Sequence, residues 1–180
     1  LKVSVFSSNF SFYTDISKRV MNVLKGYGKK IEVYSVDEAF LDISGIKDEN
    51  LEDYAFEIKK SVERLTGIPV SVGIAPSKTL AKLANNLAKK DESLKGCLAL
   101  GKSRDHGPFL KKVFIQDIWG VAKGKSRELH SMGIKTALEF RDYKNTALIR
   151  KKLTIVGAKM QQELRGVACF PLEVFRPKKK

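Results

Sequence analysis

The run Val33-Tyr34-Ser35-Val36-Asp37-Glu38-Ala39-Phe40-Leu41-Asp42-Ile43 constrains this chain more than any other segment. Two alternating apolar stretches, residues 31–36 and 39–43, read as strands, and two adjacent carboxylates stand between them. Neighbouring side chains in a strand point to opposite faces, so Asp37 and Glu38 share a ligand only where the chain bends. As a two-residue bend, Asp-Glu is poor chemistry, because such hairpin loops favour Asn-Gly, Asp-Gly or Gly-X. A local rule broken at an acidic pair points to chemistry at that pair. Oxygen donors of this kind suit Mg²⁺, which takes one or two protein carboxylates together with substrate phosphates. The competing reading is an acidic turn that is merely solvated, and spacing alone does not separate the two. Asp42 lies opposite Leu41 and Ile43 on alternation and reads as solvated, not as a ligand.

The first hundred residues alternate strand and helix. Further strand-like runs occupy residues 2–7, 70–75 and 97–100. Ile16, Val20, Val23 and Leu24 form one helical stripe, and Leu51, Tyr54, Ile58, Val62 and Leu65 form another. This pattern predicts an α+β fold, with an antiparallel or mixed sheet and helices on one face. From Gly101 to Gly107 the chain turns polar through Ser103, Arg104, Asp105 and His106, and Pro108 follows, which marks a linker. Beyond it strand patterns cease. Gly120, Gly124, Gly133, Gly157 and Gly166 punctuate short helices, which predicts a small all-α domain.

Charge divides along the same line. The 180 residues carry 34 Lys and Arg against 20 Asp and Glu, a net charge of +14. Residues 1–100 are nearly balanced at +2, whereas residues 101–180 carry +12. A polyanion partner for the second part follows. No run approaches the roughly 18 apolar residues of a spanning helix, so no membrane is implied. Cys97 and Cys169 read as two reduced thiols, and two Cys with two His lack the spacing of a zinc site.

Ser-Val-Asp-Glu-Ala-Phe-Leu-Asp-Ile at residues 35–43 resembles the palm signature of the Y-family translesion DNA polymerases. The segments Phe6-Ser7-Ser8-Asn9-Phe10 and Tyr13-Thr14-Asp15-Ile16-Ser17 are similar to what precedes that signature in the bacterial UmuC branch, also called ImpB/MucB/SamB. Gly73-Ile74-Ala75 with Ser77-Lys78-Thr79-Leu80-Ala81-Lys82-Leu83-Ala84-Asn85 resembles the palm helix that follows. Ile118-Trp119-Gly120, Met132-Gly133-Ile134-Lys135-Thr136 and Leu164-Arg165-Gly166 resemble the thumb.

The resemblance implies a partial palm at residues 1–107, a helix-hairpin-helix thumb at 108–173, and a basic tail at 174–180. It implies lesion bypass within SOS-type damage tolerance, by nucleotidyl transfer with two Mg²⁺ ions. In the family pattern a strand with the first metal-binding aspartate and a fingers subdomain would precede Leu1, and a little finger would follow Lys180. An excerpt without them is expected to be inactive alone. The implied partners are primer–template DNA, dNTP, a sliding clamp and recombinase-linked accessory proteins, in the bacterial cytoplasm and on the nucleoid.

Carried over by position, Asp37 and Glu38 are the second and third metal carboxylates, and Ser35 lies near the primer end. A helix over residues 77–90 puts Lys78, Lys82 and Lys89 on one face, with Leu80, Leu83, Ala84 and Leu87 opposite. Such a lysine stripe is usually only a wet face. The family places a triphosphate contact at Lys89 and DNA-backbone contacts near Ser77, Lys78 and Lys82, with Ser77 as the N-cap. Gly120-Val121-Ala122-Lys123-Gly124-Lys125 resembles a helix-hairpin-helix hairpin, whose backbone amides grip a DNA phosphate without reading sequence. Ala122 stands where the family usually has glycine, and its Cβ is tolerable only at negative φ. Trp119 is expected to pack between helices, not to stack on bases.

Two other classes compete. A non-catalytic helix-hairpin-helix DNA-binding module explains the +12 half without a metal site. A nucleotide cyclase shares a palm-like sheet but has no use for a thumb.

Overall fold

The computed structural model describes residues 3–174. The chain divides into two units, one built from Leu1–Gly45, Lys60–Val70 and Leu172–Lys180, the other from Ile46–Lys59 and Ser71–Pro171.

In the first unit the sequence stripe becomes α1 (Phe10–Leu24), which buries Met21 and half-buries Ile16, Val20, Val23 and Leu24. Asn9 starts this helix by accepting the Phe12 amide at 3.1 Å. Strands β1 (Lys30–Val33) and β2 (Ala39–Asp42) pair antiparallel, with Ile31 opposite Leu41 and Glu32 opposite Phe40. Alternation within Ile31-Glu32-Val33 would turn Glu32 outward. Instead Glu32 is buried, where it accepts the Glu173 amide at 2.8 Å, while Val33 is exposed.

The second unit begins with the first turns of α2 (Leu51–Thr66), whose later turns belong to the first unit. Strands β3 (Val72–Ile74) and β4 (Cys97–Ala99) are parallel, and α3 (Lys78–Lys90) is their crossover. Gly73 explains how closely α3 approaches β3. A Cβ there would overlap the Asn85 nitrogen and the Ala81 carbonyl, and would sit 2.7 Å from the Asn85 Cα. Four further helices follow: α4 (Gly107–Lys111), α5 (Lys123–Ser131), α6 (Ala137–Asp142) and α7 (Thr146–Leu164). Leu80, Leu100, Leu110, Leu129, Phe140 and Ile149 lie fully buried in one cluster, each stabilising the fold by roughly 1.5–3 kcal/mol. Among the described residues no helix is long and apolar enough to cross a membrane.

Three expectations need correction. The described strands form two separate two-stranded sheets, not one. Residues 3–7 form no strand, and Val3, Val5 and Phe6 are exposed. The polar 101–107 segment, read as a linker, is held by hydrogen bonds. Asp48 accepts the Ser103 amide and hydroxyl, both at 2.9 Å, and Arg104 reaches Glu52 and the Ala99 carbonyl, both at 2.8 Å. The break in α7 falls at Thr154 (φ 67°, ψ −173°), not at Gly157, which lies inside the helix. Thr154 restarts the helix by accepting the Val156 amide at 3.4 Å, in a backbone region that costs a side chain about 1–3 kcal/mol.

Candidate functional site

The acidic pair sits on a longer loop than its sequence suggests. β1 ends at Val33 and β2 begins at Ala39, so residues 34–38 form a five-residue connection. The Tyr34 and Ser35 amides both donate to the Glu38 carbonyl, at 3.0 and 3.1 Å. The two-residue turn preference therefore does not apply here, and the oddity first read into the bend disappears. The chemistry of the pair remains. Asp37 is exposed, Glu38 and Ser35 are half-buried, and the Ser35 hydroxyl donates to Asp37 Oδ1 at 2.6 Å. Among the described residues no group of three or more His, Cys, Asp or Glu is placed to hold a metal ion. Two adjacent carboxylates fit Mg²⁺ in donor type, and in number only if phosphates complete the shell. Asp42 accepts the Ser44 amide at 2.9 Å, and that bond with the Ser44 hydroxyl holds its carboxyl below the ordinary range.

Helix α3 forms as its stripe predicts, with Ser77 as N-cap accepting the Leu80 amide at 3.3 Å. Its lysines, however, do different things. Lys89 is exposed at the C-terminal end. Lys78 Nζ donates to the Pro171 carbonyl at 3.1 Å, and Lys82 Nζ lies 5.6 Å from the Trp119 ring centroid. The Ser77 side chain is buried and donates to the Glu163 carbonyl at 2.7 Å. Its hydroxyl is thus turned into the protein. Trp119 packs edge-to-face on Phe170, with ring centroids 6.0 Å apart, and is half-buried.

In the segment ahead of α5, Gly120 and Ala122 are exposed and Val121 is buried. Gly120 adopts φ +85°, a conformation that favours glycine. Ala122, the N-cap of α5, has φ −70°, so its Cβ is unstrained, but it offers no side-chain oxygen to the helix. The first turn is Lys123-Gly124-Lys125, in which Lys123 and Gly124 are exposed and Lys125 half-buried. The first turn of a helix leaves its amides without intrahelical partners, and here two lysines flank them.

Residues 2–86 match the impB/mucB/samB family model. Over that span the chain belongs to the impB/mucB/samB family. Protein UmuC of Salmonella typhimurium is 41% identical over 179 residues, covering 98% of this chain and 42% of that protein. DNA polymerase IV of Picrophilus torridus is 37% identical over 134 residues, 74% of this chain and 36% of that protein. Among solved structures, a DinB-family error-prone DNA polymerase from Sulfolobus solfataricus superposes with a TM-score of 0.73 at 29% identity, over 94% of this chain and 51% of that one. The insertion ternary complex of Dbh DNA polymerase gives 0.71 at 30%, over 91% and 47%. The chain therefore spans about half the length of the proteins it matches, or less, and its mixed α+β fold is similar to Y-family polymerase domains.

Sequence reasoning missed a buried carboxylate near the end of α7 in this impB/mucB/samB chain. Glu163 is fully buried and accepts three backbone amides: Thr79 at 2.8 Å, Cys169 at 2.7 Å and Phe170 at 3.0 Å. A signal for it existed. An acidic residue in the last turn of a helix opposes the helix dipole, and Glu163 stands one residue before the end of α7.

Proposed function

We propose that the chain is the palm (1–107) and thumb (108–173) of a lesion-bypass DNA polymerase, with the basic residues 174–180 leading onward. The observation that carries this reading is the likeness, over more than nine-tenths of the chain, to DNA polymerases of known structure, one of them an error-prone DinB-family enzyme. The substrates are dNTP and primer–template DNA, and the reaction is template-directed nucleotidyl transfer. Asp37 and Glu38 would hold Mg²⁺, with the Ser35 hydroxyl fixing the rotation of the Asp37 carboxylate. When bound, two such ions lower the pKa of the primer 3′-hydroxyl and neutralise charge building on the triphosphate. Lys89, exposed at the end of α3, serves as a point charge on a triphosphate oxygen. The amides opening α5, with Lys123 and Lys125, grip duplex phosphates without reading bases. A sliding clamp and recombinase-linked proteins would be the cellular partners, in the cytoplasm.

Primer extension across an abasic template tests the reading, using the intact parent protein with and without Asp37→Ala. Extension by the native protein that falls to background in the variant is the expected result. No extension by the native protein, with salt-sensitive duplex binding retained, would return the chain to a non-catalytic DNA-binding module.

A further inference from the structure

Glu163 joins elements that are far apart in sequence. Its Oε2 accepts the amide of Thr79, the second residue of α3, and its Oε1 accepts the amides of Cys169 and Phe170. Its own carbonyl accepts the Ser77 hydroxyl, the α3 N-cap. Donors thus approach both carboxylate oxygens from different elements. A glutamine in the same place would present an NH₂ group to one of them, leaving a buried amide unpaired.

The contacts continue toward the duplex grip. Phe170, held through its amide, packs edge-to-face on Trp119, and Trp119 directly precedes Gly120 of the hairpin. Lys82 of α3 lies over the other partner of that pair, the Trp119 ring, at 5.6 Å. A continuous path therefore runs from the start of α3 through Glu163 and Phe170 to Trp119 and the open N-terminus of α5. Bulk core packing fixes both helices in the fold, and this path adds hydrogen bonds and a ring contact between the start of α3 and the residue that precedes Gly120.

We propose that Glu163 is a positioning residue: its carboxylate sets the placement of the α5 hairpin against α3, and with it the affinity for duplex DNA. The proposal rests on the α5 hairpin being a duplex grip, and does not require that the parent polymerise. Glu163 itself touches no DNA.

The test is duplex binding by this 180-residue chain, read as fluorescence anisotropy of a labelled duplex, with amide hydrogen exchange at Thr79, Cys169 and Phe170. The variants are Glu163→Gln, Phe170→Leu, which interrupts the path at its next step, and Ile149→Val, a control in the same buried cluster off the path. Glu163→Gln is expected to lose protection at Thr79 or at the Cys169 and Phe170 pair, and to raise the Kd by about tenfold or more, on the order of one lost hydrogen bond to a charged group. The salt slope should not change, because no phosphate contact is removed. Phe170→Leu should raise the Kd in the same direction. In Ile149→Val the Kd should stay within about twofold at a temperature where all the proteins are folded. A Kd that follows thermal stability alike in all variants would overturn the proposal. So would an unchanged Kd in Phe170→Leu, which keeps the idea testable should Glu163→Gln fail to fold. Failure of the intact parent to extend primers would end the polymerase reading and leave these results standing.

Discussion

Two helix N-termini in this chain look alike in sequence and differ in structure. α3 begins Ser77-Lys78-Thr79, α5 begins Ala122-Lys123-Gly124-Lys125, and both put lysines at a helix start. At α3 the terminus is closed. The Ser77 hydroxyl takes the Leu80 amide, the Glu163 carboxylate takes the Thr79 amide, and both Ser77 and Thr79 are buried. At α5 the cap residue is an exposed alanine that bonds nothing with its side chain. A closed terminus spends its amide field on the protein, and an open one keeps it for a ligand. Lysines at a helix start are therefore weak testimony for phosphate binding until the fate of the amides is known.

The harshest way to break the comparison is to dislodge the closed terminus as a whole. Gly73→Ala forces a Cβ into the backbone of α3, where no flexible side chain stands to yield. We expect a loss of stability of at least about 1–3 kcal/mol, read by urea denaturation. A change below about 0.5 kcal/mol would show that α3 can lift from β3 freely, and that its closed start is incidental.

A milder change probes the cap alone. Ser77→Ala removes the acceptor for the Leu80 amide and the donor to the Glu163 carbonyl. Stability should fall by about 1–2 kcal/mol. Duplex affinity of the folded protein should stay within about twofold, since the hydroxyl faces inward and the Glu163 carboxylate keeps its three amides. A tenfold loss of affinity would mean that the α3 terminus is itself a DNA contact.

The sequence carried α1, α2 and α3 because each has a one-sided apolar stripe, and a stripe is a local signal. It carried Ser77 as an N-cap for the same reason. It did not carry what closes that cap, because Glu163 lies 86 residues from Ser77 and arrives by tertiary packing. The hairpin was legible as two strands, but the five-residue loop was not, since Tyr34 and Val36 are good strand formers, yet the Tyr34 and Ser35 amides both turn to the Glu38 carbonyl. Residues 2–7 alternate as a strand should, yet a strand also needs an edge to pair with, and alternation does not report one. The Asp37–Glu38 pair stands out through family resemblance alone, because the five-residue loop removes the argument from a two-residue bend.

The smallest change is the sharpest, because it gives the open terminus what the closed one has. Ala122→Ser places a hydroxyl at the N-cap of α5, where φ −70° and ψ 161° already suit a capping residue. Its oxygen would accept the Gly124 or Lys125 amide, raising stability by about 0.5–1 kcal/mol. The same bond removes a donor from the proposed phosphate seat, so the duplex Kd should rise by roughly threefold, with no dependence on base sequence. Stability and affinity moving in opposite directions from one added oxygen is an outcome that general disruption cannot produce, since damage lowers both. If the serine raises stability and leaves the Kd unchanged, the amides of α5 do not hold phosphate, and the net charge of the basic half carries the binding by itself.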